Sequence, residues 1–201
     1  LPIWKKSDFN FLQMRPMVAD EDRLEVQIDE EDVKNAFCRS QRTLGNGKNE
    51  KIADIVYAKP ESFNVEKTVQ MAAEIGQINA ELLKEKRPYL LVGPGRWGSS
   101  DRWLGIPVQW QNISGVGAII ELRNAALRAD PSQGSHFFQN ITSQGIHYVT
   151  VNEGSEDFFD WQWVASLPCI RETEHMRHVR LSKSMTLKID GRQSQCVMVK
   201  P

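Results

Sequence analysis

The sequence has few of the features that mark disulfide-rich, membrane-spanning or strongly charged proteins. Its three cysteines, Cys38, Cys169 and Cys196, lie far apart and form no C-x-x-C pair. Neither a disulfide framework nor a zinc site is therefore predicted, and a reducing cytosol is expected. No apolar run approaches the roughly 20 residues that a membrane span requires. The formal net charge of −1 gives no electrostatic reason to expect nucleic acid or an anionic membrane as a partner.

The first residues show neither an initiator methionine nor the apolar core of a secretion signal. We therefore expect a cytoplasmic fragment of a longer protein. The chain has 201 residues, of which 40% are hydrophobic. This length is sufficient for one large domain with a buried core.

Hydrophobic periodicity predicts an α/β fold with a mixed, largely parallel sheet, flanked by helices and followed by C-terminal antiparallel strands. The clearest pattern is a helix over 64–85, capped by Asn64, that leads into the apolar strand 89–92. This succession is typical of a β-α-β unit around a parallel sheet. Shorter patterns predict strands over 8–19, 23–29, 52–58, 115–122 and 146–152, helices that begin at Asp29 and Ser155, and a hairpin turn at Asp190-Gly191.

The segment GPGRWG, residues 93–98, follows an apolar strand and reads as the G-x-G-x-x-G of a dinucleotide-binding turn. Glu121 lies at the end of a later predicted strand, and its separation from the glycines along the sequence is compatible with a ribose contact. The residues after the turn argue against this interpretation, because Gly105, Pro107 and Gly115 disfavour the helix that would have to face the pyrophosphate.

An anion-binding loop is the second interpretation of this segment. Guanidinium groups bind phosphate and carboxylate bidentately, and open α/β sheets place ligands at the carboxyl ends of their strands. The candidate residues are Gly93, Gly95, Arg96, Gly98, Ser99, Ser100 and Arg102. A structural turn is the third interpretation, in which Arg96 pairs with an acid such as Asp101 and Trp97 covers the core. The sequence leaves these two interpretations open.

A second polar cluster lies at the start of a predicted helix over 135–145 and consists of Ser132, Gln133, Ser135 and His136. Backbone N–H groups are free at a helix start, so that an anion could bind there. Ordinary capping by Ser132 or Ser135 is the alternative. No G-x-S-x-G nucleophile elbow occurs in the sequence, and a serine next to a histidine does not by itself indicate a nucleophile and its base.

Histidines and tryptophans indicate no further site in the sequence. His175 and His178 lie three apart in a predicted strand and would point to opposite faces, and no spacing such as H-E-x-x-H occurs. No metal site is therefore predicted. Four tryptophans are more typical of core and rim than of a stacking surface: Trp103, Trp110, Trp161 and Trp163.

The segment FNFLQMRPM, residues 9–17, resembles the last strand of the nucleotide-binding domain in phosphoenolpyruvate synthase and pyruvate phosphate dikinase. In that family the strand is followed by Gln-x-Arg-Pro, and this Gln and Arg face ATP and its metal. The resemblance therefore implies nucleotide contacts for Gln13 and Arg15. It makes residues 1–20 the terminal strand of an upstream ATP-binding domain.

The remainder of the chain resembles the C-terminal part of bacterial phosphoenolpyruvate synthase-like, PEP/pyruvate-binding proteins. The strings that carry this likeness include RPYLLVGPGRWGSSDRWLGIPV and PSQGSHFFQNIT. Residues 21–201 would then form a single α/β C-terminal domain. The family's phosphohistidine setting, T-x-G-G-x-x-x-H, does not occur, and neither does its PEP-binding barrel. The chain is therefore not expected to carry out the ATP-to-PEP reaction alone.

These resemblances imply a C-terminal fragment of an ATP-dependent phosphotransferase, or kinase, whose parent uses ATP and Mg²⁺. The expected partners are the upstream ATP-binding domain and a small phosphate-bearing ligand, and a homo-oligomer is compatible with the sequence. One alternative is a self-sufficient phosphate- or nucleotide-binding regulatory module. Another is a structural or oligomerisation domain with the tryptophan-rich surface as its interface.

Overall fold

The computed structural model describes residues 25–123, 141 and 145–201. The predicted strand over 8–19, the nucleotide contacts of Gln13 and Arg15, and the cluster of Ser135 and His136 lie outside the described residues.

Short strands, four described helices and two 3₁₀ turns make up this part of the chain. The helices are α1 (Glu30–Asn35), α2 (Thr68–Lys84), α3 (Trp110–Ile113) and α4 (Trp161–Ser166), and the 3₁₀ turns are Pro60–Ser62 and Val65–Lys67. The strands are β1 (Ala36–Ser40), β2 (Thr43–Leu44), β3 (Gly47–Asn49), β4 (Asp54–Ala58), β5 (Tyr89–Pro94), β6 (Arg96–Trp97), β7 (Gly105–Ile106), β8 (Val116–Arg123), β9 (His147–Asn152), β10 (Phe158–Phe159), β11 (Cys169–Glu172), β12 (Met176–Arg180), β13 (Thr186–Asp190) and β14 (Gln195–Val199).

The larger sheet has seven strands in the order β11-β12-β4-β5-β8-β9-β2. Its four central strands, β4, β5, β8 and β9, run parallel. The strands on both sides of them pair antiparallel. The prediction of a mixed α/β fold is confirmed, but the prediction of a largely parallel sheet is wrong. The reason is that β11 and β12 are joined by a short turn, which permits only antiparallel pairing, and they extend the sheet beside β4.

A second, five-stranded sheet in the order β10-β1-β14-β13-β3 is antiparallel throughout. Its β13–β14 hairpin turns directly after Asp190, so that the predicted C-terminal antiparallel strands and their turn are confirmed. Asp190 Oδ1 accepts hydrogen bonds from the backbone N–H groups of Arg192 and Gln193, which explains why an aspartate opens this turn.

The larger sheet is packed on both of its faces, because successive side chains of a strand point in opposite directions. In β4, Ile55 and Tyr57 join the core shared with the five-stranded sheet. Val56 and Ala58 join the core shared with α2 and α3. The apolar stripe that packs α2 on this side is Met71, Ala72, Ile75, Ile78 and Leu82. Burial of each large side chain contributes about 1.5–3 kcal/mol, so this stripe fixes the helix on the sheet.

Predictions of local structure succeeded where a cap coincides with a periodic pattern. Asp29 caps α1 in a reciprocal capping box with Asp32, as its position before the helix predicted. The strand predicted over 23–29 is wrong for its described part, because residues 25–29 are irregular. The helix predicted from Ser155 begins at Trp161 instead, with Asp160 as its N-cap, since Phe158 and Phe159 pair with β1 as a strand.

No helix in the described ranges combines the length and the apolar character that crossing a bilayer requires.

Candidate functional site

The glycine loop, defined as residues 93–98, lies at the carboxyl end of β5 in the middle of the parallel strands. Gly95 has φ +68° and Gly98 has φ +76°, backbone conformations that favour glycine. Between them, β6 pairs in parallel with β7 to form a separate two-stranded sheet. After Gly98 the chain forms β7, and the next helix is α3 at Trp110. The helix that a dinucleotide-binding turn needs directly after its third glycine therefore does not form.

Four consecutive backbone N–H groups of the loop donate to acceptors within the protein, and this bears on its ability to bind an anion. The acceptors for residues 95–98 are, in order, Leu122 O at 2.9 Å, Leu104 O at 2.8 Å, Glu121 Oε1 at 3.0 Å and Ile106 O at 2.9 Å. These donors hold the loop in place. An anion at this position would therefore depend on side chains more than on backbone amides.

Trp97 anchors the loop in the core. Its indole is buried, and its Nε1 donates to Ile120 O at 3.1 Å. Gly93 lies against the indole, because a β-carbon at residue 93 would be 2.5 Å from Trp97 Cζ2. Gly105 has a similar role, since a β-carbon there would be 1.8 Å from Arg96 O. Trp97 thus covers the core, as the structural-turn interpretation expects, and two of the glycines are explained by packing.

Glu121 is buried on β8 and accepts the backbone N–H of Trp97. The dinucleotide interpretation would have directed this carboxylate to a ribose. In the structure it holds the loop against the neighbouring strand instead. Sequence reasoning could place Glu121 near the end of its strand, but not identify the donor that it meets.

The side chains of the candidate anion site extend from this anchored loop. Arg96 is half-buried and alternates with the inward-pointing Trp97, while Ser100 and Arg102 are exposed. Ser99 Oγ donates to Asp101 O at 2.9 Å, and Asp101 Oδ1 accepts from the Trp103 N–H at 2.9 Å. Local turns therefore order the segment that follows the loop and carries Ser99, Ser100 and Arg102.

A buried charge cluster lies at the opposite, amino end of the parallel strands. Asp54, the first residue of β4, is fully buried and accepts hydrogen bonds from Arg87 Nε at 2.7 Å, His178 Nε2 at 2.7 Å and Arg180 Nε at 2.6 Å. Burial alone would raise the pKa of Asp54, but these three hydrogen bonds outweigh it and hold the pKa below its ordinary value. The cluster joins β4, β12 and the turn before β5.

Sequence reasoning missed this cluster, although Asp54 interrupts an apolar strand and so offered a signal. A carboxylate within such a strand must find partners when it is buried. The prediction that His175 lies in the same strand as His178 is wrong, because β12 begins at Met176 and His175 belongs to the preceding turn. Side chains that could together ligate a metal occur, within the described ranges, at Glu74, Glu174 and His175.

Comparison of the chain with protein families, with curated proteins and with solved structures gives no match.

Proposed function

We propose that this chain is the C-terminal part of a phosphoenolpyruvate synthase-like, ATP-dependent phosphotransferase of the cytoplasm. Its α/β domain does not catalyse the reaction alone and binds a phosphate-bearing ligand beside the glycine loop. In the parent protein, the upstream domain supplies ATP and Mg²⁺, and Gln13 and Arg15 face the nucleotide. The sequence strings of the resemblance support the parent activity. The geometry of the loop supports ligand binding.

The observation that carries the binding proposal is the rigid presentation of Arg96 at the carboxyl end of the central strands. Its own N–H donates to Leu104 O, and the next N–H donates to the buried Glu121. A guanidinium on a fixed backbone loses less conformational freedom on binding than one on a mobile loop. This position is also where open α/β sheets bind ligands.

Neighbouring groups complete a donor set that suits an oxyanion. Arg102 and Ser100 are exposed a few residues further on, whereas the hydroxyl of Ser99 already donates to Asp101 O. Guanidinium and hydroxyl groups donate to phosphate oxygens, and arginine can do so bidentately.

A thermal-shift panel on the 201-residue chain tests this proposal, with Mg-ATP, NAD, phosphoenolpyruvate, pyruvate and inorganic phosphate as ligands. A ligand at 100 times its dissociation constant stabilises the fold by about 2.7 kcal/mol. We expect shifts with the phosphate-bearing ligands, and their loss in Arg96→Gln and Arg102→Gln. Arg192→Gln is the matched control, because Arg192 is exposed in the β13–β14 turn. Shifts that both variants retain, or a shift with NAD alone, would contradict the proposal.

A second candidate function is docking, which one observation favours. Trp103 is 65% exposed and adjoins Arg102, and exposed tryptophan and arginine are enriched in protein interfaces. The surface could meet the upstream ATP-binding domain or another copy of the chain. Sedimentation velocity of the chain and of Trp103→Ser tests self-association. A monomer at every concentration would exclude another copy of the chain as the partner.

A further inference from the structure

We propose that Glu74, Glu174 and His175 form a binding site for a divalent transition-metal ion, with Zn²⁺ and Mn²⁺ as the best-suited ions. Glu74 lies on α2, and the other two residues lie in the turn between β11 and β12. One potential ligand atom from each side chain lies within 4.8 Å of those of the other two. This proposal does not depend on the phosphate-binding loop or on the parent enzyme.

The orientation of His175 is the first observation that points to a ligand. The residue is only 4% exposed, and its Nδ1 lies 3.1 Å from Ser62 O. A carbonyl oxygen can only accept, so that Nδ1 carries a proton, and the lone pair of the neutral form of the ring is then at Nε2. Metal-binding histidines are commonly held in this way, by an N–H of the other ring nitrogen that donates to a carbonyl.

His175 Nε2 is buried and has no hydrogen-bond partner among the described residues. It faces Glu174 Oε1 at 3.5 Å. A lone pair directed at a carboxylate oxygen is electrostatically unfavourable, and buried polar atoms in native proteins are almost always partnered. A cation between the two atoms would satisfy both of them.

Glu74 is the second carboxylate, and its position is fixed. Its Oε2 accepts the backbone N–H of His175 at 3.0 Å and the hydroxyl of Thr173. Gln70 Nε2 donates both to Glu74 Oε1 at 3.2 Å and to Glu174 Oε2 at 2.8 Å. The two carboxylates are therefore held side by side by a neutral amide. Each carboxylate oxygen has two lone pairs, which leaves capacity for a metal.

Charges around the cluster favour a cation. Glu74 is buried, and in the described part of the chain its polar contacts are hydrogen bonds and not ion pairs. The nearby cation Lys59 is compensated elsewhere, because its Nζ bonds Glu172 Oε1 at 3.0 Å and Thr173 O at 2.9 Å. Two carboxylates and a neutral imidazole carry a net charge of −2, which a divalent ion neutralises.

The donor set selects the class of metal. One imidazole nitrogen with two carboxylate oxygens suits Zn²⁺, Mn²⁺ or Fe²⁺, whereas Mg²⁺ and Ca²⁺ prefer oxygen ligands alone. Donors bound to one ion at about 2.1 Å lie about 3.0–3.4 Å apart, close to the 3.5 Å between His175 Nε2 and Glu174 Oε1. Glu174 is exposed, so water can reach a bound ion and complete the coordination.

An imidazolium that pairs with Glu174 is the alternative occupant of the same space, since a proton and a metal compete for Nε2. Calorimetric titration distinguishes a bound metal ion from a proton at Nε2. The metal-free 201-residue chain is titrated with Zn²⁺ and with Mn²⁺ at neutral pH. We expect saturable binding of one equivalent. We expect His175→Gln to weaken it by more than about 100-fold, beyond the loss typical of a second-shell change.

Glu174→Gln provides an independent variant in case His175→Gln does not fold, because Glu174 is exposed. It should also weaken binding, while Glu31→Gln should not. Glu31 is exposed on α1 and undergoes the same change of charge. The absence of saturable uptake of either ion would leave the proton as the occupant and overturn the proposal. Binding that persists unchanged in both site variants would place the ion elsewhere and would also overturn it.

Discussion

Replacing Asp54 by Asn tests the energetic importance of the buried charge cluster. The substitution preserves the shape of the side chain but removes its charge and one of its two acceptor oxygens. Asp54 accepts hydrogen bonds from Arg87, His178 and Arg180. An amide at this position cannot satisfy three donors, of which two are permanently charged.

The size of the stability loss expected for Asp54→Asn follows from the solvent exposure of its three hydrogen-bond donors. The side chains of Arg87 and Arg180 are 35% and 29% exposed, so both guanidinium groups can recover part of their hydration. His178 is buried and cannot do so. Loss of one partner from a buried ion pair costs about 3–5 kcal/mol, and partial rehydration places Asp54→Asn near the lower limit. For a chain of this size, about 3 kcal/mol corresponds to a decrease in Tm of about 6–12 °C.

Urea titration followed by circular dichroism measures the difference in unfolding free energy between the wild type and Asp54→Asn. The sign of the pH dependence of this difference follows from the pKa of Asp54. The pKa of Asp54 lies below its ordinary value of 3.8 in the folded protein. The carboxylate therefore stabilises the fold fully above the unfolded-state pKa, and this stabilisation is lost as the pH falls through the lower, folded-state pKa. The gap in unfolding free energy between the wild type and the variant should be greatest near neutral pH and should narrow under acid conditions.

Asp101→Asn is the matched control, because Asp101 is exposed and asparagine retains an oxygen for the Trp103 N–H. Its cost should stay within about 0.5 kcal/mol. A cost below about 1 kcal/mol for Asp54→Asn at neutral pH would refute the argument that the buried carboxylate joins the three elements, since it falls below the range for a broken buried pair. A gap that widens on acidification would refute the assigned direction of the pKa shift.

Three further substitutions, one of them a control, test packing by thermal and urea denaturation. Ile75→Ala removes a buried side chain from α2 and should lower the free energy of unfolding by about 2–5 kcal/mol. Val69→Ala, on the exposed face of the same helix, is the control and should lower it by less than about 0.5 kcal/mol. Equal losses in the two variants would contradict the assignment of the buried face. Gly93→Ala should cost about 1–3 kcal/mol, because its β-carbon would lie 2.5 Å from the Trp97 ring, and an unchanged Tm would show that the ring shifts freely.

Predictions that depend on nearby residues were the most accurate. The helix over 64–85 is present as a 3₁₀ turn that Asn64 caps, followed by α2. Its apolar stripe and its cap are encoded within one segment, so that no distant residue is needed to recognise it. The same holds for the glycines after Gly98, which correctly argued against a dinucleotide-binding helix.

Predictions that depend on distant pairing were less accurate. The pattern of residues 23–29 favoured a strand, but residues 25–29 are irregular, because alternation alone does not provide a neighbouring strand. The proportion of parallel pairing was also wrong, since the strand β12 that flanks β4 follows it by more than one hundred residues. The order of strands in a sheet depends on which strand edges are open for pairing in the folded chain. The residues of a single strand do not specify this.

The sequence by itself determined the α/β class, the long amphipathic helix, the position of the glycine loop and the C-terminal hairpin, because each of these depends on spacing within a short segment. Only the tertiary structure decided which groups meet. It brought Glu74 beside Glu174 and His175, and it directed three donors to Asp54. Such encounters depend on the packing of a helix on a sheet and on the pairing of remote strands, which no local pattern specifies.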